Sequence, residues 1–116
     1  VCADGLGFEC PSNMKLLGYV SDEEAKTLMR DCKAFLFPTY YEGFGIPPLE
    51  AISAGARQVV VSDTEVMHEI FGDSVCYIDP NVYELEIGKT YIDDSLLKRF
   101  DWKKSAAKLL KLINTL

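Results

Sequence analysis

Short apolar runs alternate with stretches of helical periodicity along this chain. Met14 to Val20 (MKLLGYV), Ala34 to Pro38 (AFLFP), Arg57 to Ser62 (RQVVVS) and Ser74 to Ile78 (SVCYI) read as buried strands. The second is stopped by a proline, which has no N–H for a sheet ladder, and the last by Asp79-Pro80. Between them, Ser21 with Glu24 three residues on forms a capping box, and Ala25, Leu28, Met29 and Cys32 recur on one helical face. A short helix is expected from about Pro47 to Ala54, with Gly55 at its left-handed end, and another opening near Asp63 or Thr64. The order strand, helix, strand, helix, strand, helix, strand, with strands that are apolar throughout, predicts a Rossmann-like α/β domain: a parallel sheet with helices on both faces. Residues 81–100 show no clear period. Trp102, Ala106, Leu109, Leu110, Ile113 and Leu116 then form one apolar stripe with Lys103, Lys104, Lys108 and Lys111 largely off it, the pattern of a helix docked on a core.

Length and charge narrow the picture. The 116 residues make one domain, and twelve Lys plus Arg against eighteen Asp plus Glu give a net charge of −6. That excess of acid argues against a nucleic-acid partner. No apolar run reaches the roughly 20 residues that span a bilayer, and no signal-peptide pattern opens the chain, so a soluble protein is expected. Cys2, Cys10, Cys32 and Cys76 form no Cys-x-x-Cys pair and His68 is the only histidine, so neither zinc nor a redox dithiol is expected; the cysteines read as free thiols. No internal repeat or low-complexity run interrupts the chain.

Candidate chemistry concentrates in residues 41–51, YEGFGIPPLEA. This loop leaves the carboxyl end of the AFLFP strand, where ligands bind in open parallel sheets. Gly43 and Gly45 permit positive φ and close approach of a ligand to the backbone, and the helix that follows offers N–H groups to an anion. Glu42 and Glu50 flank the turn with seven residues between them. Two carboxylates repel a phosphate but accept hydrogen bonds from sugar hydroxyls, so the combination suits a phosphate-linked sugar. For Glu50 the simpler alternative is an acid favoured by the helix dipole, and for Glu42 an exposed loop acid.

Glu42 and Glu50 within EGFGIPPLEA resemble the signature of retaining GT-B-type glycosyltransferases that use nucleotide sugars (glycosyltransferase group 1, family 4-like). LLGYVSDEEAKTLMRDCKAFLFPTYYEGFG, GARQVVVSD, VCYIDP and FDWKKSAAKLLKLI are similar, in order, to successive parts of the donor-binding C-terminal domain of that family. The resemblance implies that residues 1–116 are a single, truncated nucleotide-sugar-binding domain, with the acceptor-binding N-terminal domain absent. It implies that Glu42, at the catalytic centre, contacts hydroxyls of the donor sugar and that Glu50 binds the ribose hydroxyls. The backbone of Gly43, Phe44, Gly45 and Ile46 would hold sugar and diphosphate, and Gly18, Tyr19 and Val20 would line the base.

The implied reaction is transfer of a sugar from a nucleotide diphosphate to a glycan, lipid or small-molecule acceptor with retention of configuration. The nucleotide sugar is a substrate there, and neither a cofactor nor a metal is expected. The acceptor would be bound through the missing domain, a partner chain or peripheral membrane association is compatible, and the setting is the cytoplasm or the cytosolic face of a membrane. The isolated chain is expected to be inactive. Against the family pattern, the Arg and Lys pair for the diphosphate is expected outside residues 1–116, Arg57-Gln58 stands where a small residue and proline are usual, and the segment between Pro80 and Trp102 is shortened. Arg57 is expected to bring a positive charge near the site. The alternative from another class is a non-catalytic shortened module that binds a partner protein or senses nucleotide sugars. A dinucleotide-dependent oxidoreductase is disfavoured, because no Gly-x-Gly-x-x-Gly links a strand to a helix.

Overall fold

The computed structural model describes residues 10–82, 84 and 86–116. Cys2 and the Asp4-Gly5-Leu6-Gly7 turn lie outside them. The elements are α1 (Asp22–Asp31), β1 (Phe35–Phe37), α2 (Ile46–Ala54), β2 (Val59–Ser62), α3 (Glu65–Phe71), a 3₁₀ turn (Gly72–Ser74), β3 (Cys76–Ile78), α4 (Leu96–Arg99) and α5 (Trp102–Asn114). The three strands form one parallel sheet in the order β1-β2-β3, with Phe37 beside Val61 and Val61 beside Tyr77. This is the α/β arrangement expected from the alternation of strand and helix patterns.

Each element starts where the local chemistry says it should. Ser21 Oγ accepts from the Glu24 amide at 3.2 Å, and the Glu24 carboxylate accepts from the Ser21 amide at 3.0 Å, completing the capping box of α1. Thr64 caps α3 through the Met67 amide, and Asp101 caps α5 through the amides of Lys103 and Lys104. Gly55 ends α2 at φ 97°, and its amide donates back to Ala51 and Ile52.

The period of two along the strands sends Val59 and Val61 into a cluster with Ala51 and Ile52 of α2 and Met67, Ile70 and Phe71 of α3, all buried. Central strand β2 is buried at all four residues. Burying such a valine side chain contributes about 1.5–3 kcal/mol, so β2 and the helices over it carry most of the stability. α1 packs on α2 with Ala25 and Met29 half-buried, while Leu28 stays exposed.

Three expectations are corrected. Met14 to Val20 is not a strand. Gly18 sits at φ 62°, which breaks an extended run, and no described residue pairs with this segment or with the outer edge of β1. An isolated strand leaves its N–H and C=O groups without partners, so the run stays irregular and exposed. Leu36 of β1 is accordingly 47% exposed rather than part of a covered face. Finally, α5 forms with its expected stripe, but no residue of it is buried; Trp102 is 87% and Leu109 57% exposed. The pattern of a docking helix is present, and among the described residues nothing buries its stripe.

Candidate functional site

Strands in a parallel sheet share one carboxyl end, and the loop after β1 opens there. Gly45 is the N-cap of α2 at φ 93°, ψ 51°, a left-handed conformation that a side chain disfavours. It is buried, and a Cβ placed on it would lie 3.1 Å from Met67 Cε, 3.2 Å from Met67 Sδ and 3.4 Å from Phe71 Cε2. The α3 side chains thus form the floor on which the loop rests. Gly43 has no such constraint: a Cβ placed there would meet no atom within 4 Å, and its φ is not positive.

The helix N-terminus contributes less to an anion site than its sequence suggests. Pro47 and Pro48 occupy the second and third positions of α2 and have no N–H, and the Leu49 amide turns back to the Gly45 carbonyl at 3.5 Å. What remains is a row of backbone amides at Gly43, Phe44, Gly45 and Ile46, and among the described residues none of these donates to a backbone carbonyl outside a helix or strand. Four consecutive donors without backbone partners at the carboxyl end of a sheet are available to phosphate or sugar oxygens. Of the donors expected of the helix, only the Ile46 amide remains.

Glu42 is half-buried and Glu50 exposed on α2. The ion pairs among the described residues, Lys26–Glu23, Arg30–Asp31 and His68–Asp63, leave both carboxylates out, so each can accept from a ligand. Glu50 points into a groove of about 500 Å³ between α1 and α2, with Asp22, Lys26 and Ser53 among its polar walls. Glu42 and residues 43–46 do not line that groove. Gly18, Tyr19 and Val20 lie in the irregular chain before α1. Tyr19 is 98% exposed, and Val20 lines shallow grooves against α1 and β1 instead of the one that holds Glu50. The structure thus brings Gly43 to Ile46 together with α3 and Glu50 together with α1, and it leaves the three residues assigned to the base apart from both.

Arg57 corrects a further expectation. It precedes β2, at the amino end of the sheet, whereas the loop leaves the carboxyl end. Its charge acts on Asp31 at the end of α1, whose carboxyl is held below its ordinary range mainly by the hydrogen bond from Arg30 and in small part by Arg57. Gln58 is occupied structurally, its amide donating to the Gly88 carbonyl at 2.6 Å and to Thr90 Oγ1 at 3.1 Å.

A second polar cluster at the carboxyl end escaped the sequence reading. Asp63 follows β2 directly, His68 Nε2 lies 2.7 Å from its Oδ1, and the imidazole stacks on Tyr77 with ring centroids 3.8 Å apart. The Tyr77 hydroxyl donates to the Gly72 carbonyl at 2.6 Å, also lies 3.2 Å from the Met67 carbonyl, and has its pKa pushed up to about 12, chiefly by burial and then by Asp73 and Asp63. The available signal was the acid placed immediately after the central strand. Among the described residues no group of three or more His, Cys, Asp or Glu is arranged to hold a metal ion, and Cys10, Cys32 and Cys76 are free thiols.

Comparison with known proteins decides the family. The sequence model described as glycosyl transferases group 1 matches residues 7–114. The chain belongs to that family. Its relatives include the O-antigen chain mannosyltransferase B of Escherichia coli, 43% identical over 68 residues that make up 59% of this chain and 18% of the relative. The O-antigen chain mannosyltransferase RfbU of Salmonella typhimurium is 37% identical over 73 residues, 63% of this chain and 20% of the relative. The serotype-specific mannosyltransferase WbdA of Escherichia coli is 34% identical over 70 residues, 60% of this chain and 8% of the relative. The matched region therefore spans a fifth or less of each of these relatives. No solved structure gives a significant match. Among the described residues no helix is long and apolar enough to cross a membrane.

Proposed function

We propose that this chain is the donor-binding part of a retaining glycosyltransferase that transfers a sugar from a nucleotide diphosphate to a glycan, lipid or small-molecule acceptor. The observation that carries the reading is the loop from Gly43 to Ile46, where four backbone amides without backbone partners sit between Glu42 and Glu50 at the carboxyl end of the sheet. Amide donors suit the diphosphate and the anomeric region, and unpaired carboxylates suit hydroxyls. Glu42 takes the donor-sugar hydroxyls and Glu50 the ribose diol in this reading. Gly18, Tyr19 and Val20 line the base in the same reading.

The relatives' names add a mannosyl group as the transferred sugar and an O-antigen glycan as the acceptor class. In the transfer step the bond from the anomeric carbon to the leaving phosphate oxygen breaks as a bond to the acceptor oxygen forms on the same face, and the leaving phosphate takes the acceptor's proton. The chain's own contribution is to hold the sugar and the diphosphate in place, which is positioning together with electrostatic stabilisation. The acceptor is bound by polypeptide beyond this domain, in the cytoplasm or at its membrane face.

The test is Glu42→Ala and Glu50→Ala in the full-length polypeptide that carries this domain, assayed for transfer from a nucleotide-linked mannose. Each is expected to lower transfer by at least about tenfold, the scale of one charged hydrogen-bonding group. Loss of less than that in both variants overturns the assignment.

A further inference from the structure

Phe44 lies between the two glycines of the loop, where the backbone has most freedom, and its ring meets an aromatic residue from the far end of the sequence. Its centroid is 5.1 Å from that of Phe100, with the planes at 89°, an edge-to-face pair. Phe100 is held in turn. It closes α4 with its amide on the Leu97 carbonyl at 3.3 Å, it is half-buried against the core cluster, and the Arg99 guanidinium lies 5.5 Å from its ring centroid. Arg99 also donates through Nη2 to the Ile70 carbonyl of α3 at 2.9 Å. α3 therefore supports the loop twice, directly through Met67 and Phe71 beneath Gly45 and indirectly through Arg99 and Phe100 against Phe44.

We infer that Phe100 is a positioning residue for the loop from Gly43 to Ile46, fixing the direction of its free amides, and that it thereby sets the affinity for the ligand those amides receive. The consequence for a nucleotide sugar rests on the proposed function; the ordering of the loop does not. A loop bearing two glycines without this clamp samples many backbone states, and a ligand that needs one of them meets that cost as weaker binding. Phe100 touches no reacting atom and acts only through Phe44.

The experiment compares the chain with its Phe100→Leu and Phe100→Tyr variants by ¹⁵N relaxation and by titration with uridine, guanosine and adenosine diphosphate sugars. In Phe100→Leu the order parameters of the Gly43, Phe44 and Gly45 amides are expected to fall from about 0.85 toward 0.6 or below, while those of Val59 to Val61 stay in the rigid range. Phe100→Tyr, which keeps the ring, restores the loop values. Donor binding weakens about threefold to tenfold in Phe100→Leu, the range one aromatic pair commands, and recovers in Phe100→Tyr. Unchanged loop order in Phe100→Leu overturns the inference, as does an equal loss of order along β2, which would mark a general loss of stability. If the unsubstituted chain binds none of the sugars while the loop order falls as expected, the positioning role stands and the donor reading fails; binding with unchanged loop order gives the reverse.

Discussion

Replacing Gly45 by alanine separates two costs that the structure places at one atom. The first is conformational: at φ 93°, ψ 51° a side chain is disfavoured by about 1–2 kcal/mol. The second is steric, because the new Cβ arrives 3.1 Å from Met67 Cε and 3.2 Å from Sδ, distances at which the thioether must yield. Overpacking of this kind costs about 1–3 kcal/mol, toward the low end here because methionine is flexible. The sum is about 2–4 kcal/mol, a large share of the stability of a domain of this size. Urea denaturation of the chain measures it. Gly43→Ala is the control, with open space and ordinary φ, and should stay within about 1 kcal/mol of the parent. In a Met67→Ala background the steric part disappears and the conformational part stays, so Gly45→Ala should then cost about 1–2 kcal/mol. A Gly45→Ala variant within about 0.5 kcal/mol of the parent would refute the claim that α3 forms the floor of the loop.

Other consequences follow from single groups. Ser21→Ala removes the reciprocal cap of α1 and should cost about 1 kcal/mol by the same denaturation measurement. The Ser62 hydroxyl, at the carboxyl end of β2, is fully buried without a hydrogen-bond partner among the described residues, so Ser62→Ala should leave stability unchanged or raise it by about 1 kcal/mol. Tyr77 has a folded pKa raised to about 12 from its ordinary 10, so the folded state holds the phenolic proton more tightly than the unfolded state. Its contribution is complete below pH 10 and is lost as the pH climbs through 12, and Tyr77→Phe should flatten the stability profile across that window while lowering stability at pH 7 through the lost bond to Gly72.

The sequence was legible wherever a local rule and the tertiary contacts agree. The Ser21 box, the left-handed Gly55 and the valine run of β2 each carry their own signal, and the structure uses each as read. The alternation of helices with strands that are apolar throughout conveyed the parallel sheet, because strands covered on both faces show no polar alternation. Met14 to Val20 misled because an apolar run reports a tendency to be buried, and whether a strand forms depends on a neighbour that no local pattern records. The stripe of α5 misled for the same reason, since periodicity names the face and says nothing of what covers it. In the candidate site, Gly45 was readable as a residue of positive φ, whereas Gly43 does not adopt that conformation. The loss of helix donors at Pro47 and Pro48 was readable too, from proline chemistry alone, yet it takes the helix bounds to place both prolines inside the first turn. Asp63 carried a signal in its place after the central strand, but its contacts with His68 and Tyr77 and the Phe44–Phe100 pair were not readable, because they join residues from different elements through the fold.

The central claim is a nucleotide-sugar site built on the loop from Gly43 to Ile46 and on Glu50, and calorimetric titration tests it most directly. The chain and its Glu50→Ala variant are titrated with uridine, guanosine and adenosine diphosphate sugars, with circular dichroism showing that both are folded. Saturable binding confined to one base is expected, weakened at least about tenfold in Glu50→Ala through loss of a charged acceptor for the ribose diol. A folded chain that binds none of the sugars, or a Glu50→Ala variant that binds as tightly as the parent, would contradict it.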